Sequence, residues 1–80
     1  MANILAIDDE IPILELIKNG LKKDGHTVST YPSVSQIPLE YLNRYDLIML
    51  DIMMPDTDGF TFCKKIRSLV DCPILFLTAK

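Results

Sequence analysis

Eighty residues, 49% of them hydrophobic and 24% charged, amount to one small domain, and a chain of that length buries only about 60 to 65% of its unfolded surface, so its core has little reserve. Eight basic against eleven acidic side chains give a net charge of -3 with no basic run, which argues against a nucleic-acid surface, because phosphate contacts need clustered Lys and Arg. Cys63 and Cys72, with His26 as the single further soft ligand, suggest neither a zinc site nor a disulfide framework.

The amino terminus has no basic leader and no long apolar stretch, so neither a secretory signal nor a membrane span is expected, and the default is a cytoplasmic protein with reduced thiols. Asn3 to Ile7 form a short apolar run that stops at Asp8, Asp9 and Glu10. This reads as a buried parallel strand opening into an acidic loop. Pro12 suits a first helical turn, and Ile13, Leu14, Leu16, Ile17 and Leu21 recur at helical spacing until Asp24-Gly25 ends the helix. Gly20 weakens it by roughly 1 kcal/mol.

His26 to Tyr31 alternates polar and β-prone residues, which predicts a more exposed second strand at a sheet edge. Pro38 interrupts any helix running from Ser33, leaving one irregular or shifted helix that contains Leu39 and Leu42 between Pro32 and Tyr45. Asp46 to Asp51 is a continuous apolar run closed by a carboxylate, a central buried strand. Ile52-Met53-Met54-Pro55 and the turn-prone Asp56-Thr57-Asp58-Gly59 follow. A third helix is expected from Asp58 as N-cap, with Phe62, Cys63, Ile66, Leu69 and Val70 on one face and Lys64, Lys65 and Arg67 on a solvated one. Cys72-Pro73 breaks it, and Ile74 to Leu77 form a fourth strand that ends at Thr78-Ala79.

Strands alternating with helices require right-handed crossovers and a parallel sheet covered on both faces, so the fold class is α/β. No repeat or linker marks a second domain. Ligands of such sheets bind outside the carboxyl ends of the strands, where the connections change direction, and Asp8, Asp9, Asp51 and Thr78 all fall at such ends. In a 2-1-3-4 strand order the first and third backbones lie about 4.8 Å apart, and Asp51 faces the Asp8-Asp9 pair. Two carboxylates about 4 Å apart repel by roughly 4 kcal/mol at an effective dielectric near 20, a cost that a divalent cation reverses. Hard oxygen ligands favour Mg2+ over a soft metal. Asp51 could also attack a phosphoryl group to form an acyl phosphate, with Thr78 donating its hydroxyl to a phosphoryl oxygen.

The motifs Ile7-Asp8-Asp9-Glu10, Leu50-Asp51-Ile52-Met53-Met54-Pro55, Asp58-Gly59 and Leu77-Thr78-Ala79, in this order and spacing, resemble the receiver domain of bacterial two-component response regulators, along the whole chain. The resemblance implies a flavodoxin-like parallel sheet of order 2-1-3-4. It implies Asp51 as phospho-acceptor from a phosphohistidine on a sensor histidine kinase, and Mg2+ held by Asp8, Asp9, Asp51 and the Met53 carbonyl. Thr78 would be the switch hydroxyl, with Pro55 and Gly59 shaping the loop. It further implies a signalling domain that assists its own phosphorylation and dephosphorylation, rather than an enzyme, and control of transcription through a winged-helix DNA-binding domain of the OmpR type.

The family's lysine at the end of a fifth strand has no counterpart in residues 1-80, since Lys80 follows Thr78 too closely. The expectation is therefore a partial receiver domain over residues 1-80, without the last helix-strand-helix portion. Such a chain would still bind Mg2+, yet signal poorly and self-associate through the exposed edge of the fourth strand. An aspartyl-phosphate phosphatase is the competing enzymatic reading. Such enzymes place a second carboxylate two residues after the nucleophile, where this chain has Met53.

Taken singly, Asp8 and Asp9 would be solvated loop acids, Asp51 a strand-ending turn acid like Asp46 and Asp71, and Thr78 a β-prone strand residue. Asp56 and Asp58 read as turn and cap residues, and His26 as a surface or edge-strand histidine. Met49, Met53 and Met54 read as core and loop packing.

Overall fold

The computed structural model describes residues 1–52, 54 and 59–77. Four parallel strands, β1 (Asn3–Ile7), β2 (Thr27–Tyr31), β3 (Leu47–Asp51) and β4 (Ile74–Leu77), form one sheet in the order β2-β1-β3-β4. The predicted order and the edge position of the second strand are thus observed. Ile4, Leu5, Ala6 and Ile7 are all buried, because β1 is central and covered on both faces; a run with no polar alternation suits no other place.

Side chains alternate between the two faces of the sheet. Leu5, Ile7, Ile48 and Leu50 join Phe62, Ile66 and Val70 in the main core, together with Ile37 and Leu42. The helix α2 (Gly59–Arg67) therefore lies on that face. Ile4, Ala6 and Leu14 are buried outside that cluster, on the face covered by the helix α1 (Ile11–Lys23).

α1 begins with Pro12 in its first turn and ends at Asp24. The amide of Gly25 donates to Lys22 O (3.0 Å), and that of His26 to Leu21 O (3.2 Å). This pair of bonds is the Schellman arrangement, which requires a left-handed residue after the cap; Gly25 supplies it with φ 87°. The predicted stop at Asp24-Gly25 is therefore observed in atomic detail. Within α1 the apolar face is narrower than its spacing implied: Leu14 is buried, but Leu16 is 71% exposed. Leu16 lies two residues from Leu14, about 200° around the helix, so both cannot face the sheet.

Between Pro32 and Tyr45 there is no α-helix. Two 3-10 segments, Val34–Gln36 and Leu39–Arg44, stand in its place, and Pro38 caps the second. The predicted single helix fails because Pro38 has no N–H to donate and restrains Ile37 to extended backbone, observed at ψ 126°. The tighter turns still bury Ile37 and Leu42. α2 ends at Arg67, earlier than its apolar pattern suggested. Val70 stays buried in the following turn, whereas Leu69, expected on the buried face, is 48% exposed. The predicted N-cap Asp58 falls outside the described residues. Among the described residues no helix is long and apolar enough to cross a membrane.

Candidate functional site

Register decides which acids meet. Ile7 pairs with Leu50 across β1 and β3, so the next residues, Asp8 just past the end of β1 and Asp51 closing β3, lie side by side. Asp51 in turn pairs with Leu77 of β4. Asp8 is 6% and Asp51 2% exposed, while Asp9 projects into solvent. One carboxylate oxygen from each of Asp8, Asp9 and Asp51 lies within 4.8 Å of the other two. The three acids expected to share a crevice do so.

The turn holding them is made by Asp8 itself. Its amide donates to Tyr31 O (3.2 Å), extending the β1–β2 ladder by one residue. Its Oδ1 accepts the amide of Glu10 (2.9 Å), a local side-chain-to-backbone bond that turns the chain into α1. The Glu10 carbonyl then accepts the amides of Ile13 and Leu14, which starts the helix.

Burying two like charges a few ångströms apart is costly, and a cation is the physical remedy. The donors are all carboxylate oxygens, with no sulfur or imidazole among them. That set fits a hard divalent ion such as Mg2+ and not a soft one. The predicted ligand Met53 and the predicted switch residue Thr78 lie outside the described residues, as do Pro55, Asp56 and Asp58. Met54 is described and is buried in the core, as expected of packing.

Three residues have more definite roles than their sequence positions suggested. Asp46, read as a turn acid, accepts the amide of Asn3 at Oδ2 (2.7 Å). Arg67, read as part of a solvated face, donates from Nη2 to Cys72 O (2.7 Å) and Val70 O (3.3 Å). It therefore ties the end of α2 to the approach of β4, a use foreshadowed only by its place in the last helical turn. His26, expected to open the edge strand, lies one residue before it, and its Nδ1 accepts the Ala2 amide (3.0 Å).

Comparison with known proteins places this geometry. The family model described as the response regulator receiver domain matches residues 4–80. The transcriptional regulatory protein SpaR of Bacillus subtilis is 60% identical over 80 residues, which is 100% of this chain and 36% of SpaR. The chain thus spans about a third of the length of that curated relative. The BeF3-activated N-terminal receiver domain of Klebsiella pneumoniae RstA is 30% identical with a TM-score of 0.86, covering 98% of this chain and 68% of its own. The response regulator TrrA of Thermotoga maritima, solved in complex with Mg2+-BeF, is 34% identical with a TM-score of 0.83, covering 100% of this chain and 71% of its own.

Proposed function

Because the chain belongs to the response regulator receiver domain family, we propose that Asp51 is its phospho-acceptor and that Asp8, Asp9 and Asp51 hold the Mg2+ that the transfer requires. Receiver domains of response regulators are phosphorylated by sensor histidine kinases and bind Mg2+ at an acidic pocket. The observation that carries the assignment is the convergence of the three carboxylates within 4.8 Å at the ends of β1 and β3.

One Asp51 oxygen attacks the phosphorus of a phosphohistidine. A P–O bond forms as the P–N bond breaks, and the electron pair of the latter returns to the imidazole nitrogen, leaving an acyl phosphate on Asp51. When bound, the cation supplies positive charge against the phosphoryl oxygens. Asp8 and Asp9 would hold it beside Asp51, and burial of Asp51 would keep competing water from the acyl phosphate. The Met53 carbonyl would complete the ligand set, and the Thr78 hydroxyl would bond the phosphoryl group. The modification adds about -1.5 to -2 charge and three acceptor oxygens, enough to bias a loop between two arrangements. The likeness to SpaR, a transcriptional regulatory protein, supports an output in the control of transcription.

The test is incubation with acetyl phosphate and Mg2+, followed by intact mass measurement. A single phosphoryl adduct that is lost with EDTA and absent from Asp51→Asn is expected. An adduct surviving Asp51→Asn would overturn the assignment.

A second reading concerns association. β4 is an edge of the described sheet and carries Leu75 and Phe76, 51% and 36% exposed, with Phe76 against Phe60 at 5.0 Å between ring centroids. An apolar edge of this kind supports strand pairing between two copies of residues 1-80. Sedimentation over a concentration series is expected to show dimers, and a monomer at all concentrations would refute it.

A further inference from the structure

The three tyrosines of this chain, dispersed over β2, the second 3-10 helix and its cap, line one cleft of about 240 Å3. Its floor is sheet: Asn3 of β1 and Ser29 and Tyr31 of β2 lie on one face, since Leu5 pairs with Ser29 and Ile7 with Tyr31. Its other wall is the segment Leu39–Arg44 with its cap, contributing Tyr41, Arg44 and Tyr45. Asn3 Nδ2 donates to Arg44 O (3.1 Å), so floor and wall are bonded together and the cleft is preformed.

The charge in this cleft is specific. The Arg44 guanidinium lies 4.5 Å from the centroid of the Tyr41 ring, a cation–π contact that holds the planar group in place. A guanidinium stacked on one face keeps its in-plane N–H donors for a planar anion, and two parallel N–H···O bonds to a carboxylate are its preferred arrangement. The neighbouring acid, Asp46, has Oδ2 committed to the Asn3 amide. The same cleft is lined by the phenol rings of Tyr31, Tyr41 and Tyr45, which stack on flat apolar ligands, and by Ser29 and Asn3, whose hydroxyl and side-chain carbonyl oxygen can accept a hydrogen bond. The volume is below the usual range of about 300 to 1,000 Å3 for drug-sized ligands and suits a single ring.

We propose that this cleft binds a small aromatic carboxylate, with its ring among Tyr31, Tyr41 and Tyr45 and its carboxylate on Arg44. The cleft is built wholly from residues 3 to 45, and none of Asp8, Asp9 or Asp51 lines it, although Tyr31 borders both cleft and acids, its carbonyl accepting the Asp8 amide. The proposal uses no group that the phosphoryl transfer uses, and it can be tested without phosphorylating Asp51.

The test is an amide NMR titration of the protein with benzoate, alongside benzamide (the ring without the charge) and acetate (the charge without the ring). Benzoate is expected to give saturable shifts clustered on Asn3, Ser29, Tyr31 and residues 41–45, with benzamide and acetate each about tenfold weaker or silent. Arg44→Gln, an exposed position whose backbone bond from Asn3 survives the change, is expected to weaken benzoate about tenfold and leave benzamide unaltered. Arg44→Lys, which keeps the charge and loses the fork, should fall between. Equal affinity for benzoate and benzamide, shifts centred elsewhere, or unchanged benzoate binding in a folded Arg44→Gln would overturn the proposal.

Discussion

Asn3 and Asp46 hold each other through two hydrogen bonds of 2.7 Å: the Asn3 amide donates to Asp46 Oδ2, and the Asp46 amide donates to the Asn3 carbonyl. The pair locks the start of β1 to the start of β3. From it the register Ile4 with Leu47 through Ile7 with Leu50 follows, and Asp8 arrives beside Asp51 at the other end. A slip of one residue would turn every inward side chain outward.

Asp46→Ala should therefore lower stability by about 1 kcal/mol, one hydrogen bond lost at a partly solvated site. For a chain of this size that is a fall of about 4 to 8 °C in melting temperature. Asp46→Asn, which retains an acceptor, should recover most of it. Thermal melts of the three proteins at fixed concentration check this, and an undiminished melting temperature in Asp46→Ala would remove the register role.

Removing one of the crowded acids should have opposite effects with and without cation. In EDTA, Asp51→Asn should melt higher than the parent, because repulsion of up to about 4 kcal/mol between carboxylates about 4 Å apart is relieved. Mg2+ should raise the melting temperature of the parent, by about 2.7 kcal/mol of stability at a hundredfold excess over Kd, and should leave Asp51→Asn nearly unmoved. A melting scan over Mg2+ concentration distinguishes these outcomes.

Gly25→Ala should destabilise the fold by about 1 to 2 kcal/mol, since an L side chain is strained at positive φ. The space itself is adequate: an added Cβ would meet Met1 Sδ at 3.5 Å, ordinary contact. The cost is therefore conformational, and Gly25→Asn should be milder than Gly25→Ala in denaturant titrations.

Burial pushes the Cys72 thiol above its ordinary pKa, partly offset by the nearby Arg67 guanidinium. Two consequences follow. Thiolate formation in the folded chain is disfavoured, so stability from this group is fully present below the ordinary thiol pKa and is lost as pH rises through the raised one. Alkylation of Cys72 by iodoacetamide at mildly alkaline pH should be slower than that of the unfolded chain, and Arg67→Gln should slow it further by removing the cation. If Arg67→Gln instead speeds the reaction, loosening of the α2–β4 connection outweighs the lost charge.

Much of the fold was legible because its signals are local. A run such as Asn3 to Ile7 with no polar alternation can only be a strand covered on both faces, and Asp24-Gly25 stops a helix by backbone geometry alone. The carboxylates at the ends of those runs were legible for the same reason, once the strand order was assumed. The segment from Pro32 to Tyr45 was not: Pro38 excludes a continuous helix, yet nothing local chooses two 3-10 turns over other irregular forms. Leu16 and Leu69 show the limit of periodicity, which counts apolar residues but does not say how wide a stripe the sheet will cover.

Composition, strand runs and the order of the acidic motifs, all carried by short-range backbone preferences, were enough to specify an α/β chain with Asp8, Asp9 and Asp51 at strand ends. Which side chains touch was decided by packing and register. Asn3 meets Asp46 forty-three residues away, Arg67 turns back onto Cys72, and Tyr31, Tyr41 and Tyr45 close around one cleft with Arg44. No local propensity encodes those meetings, because each depends on where the sheet, once paired, places segments that the sequence holds apart.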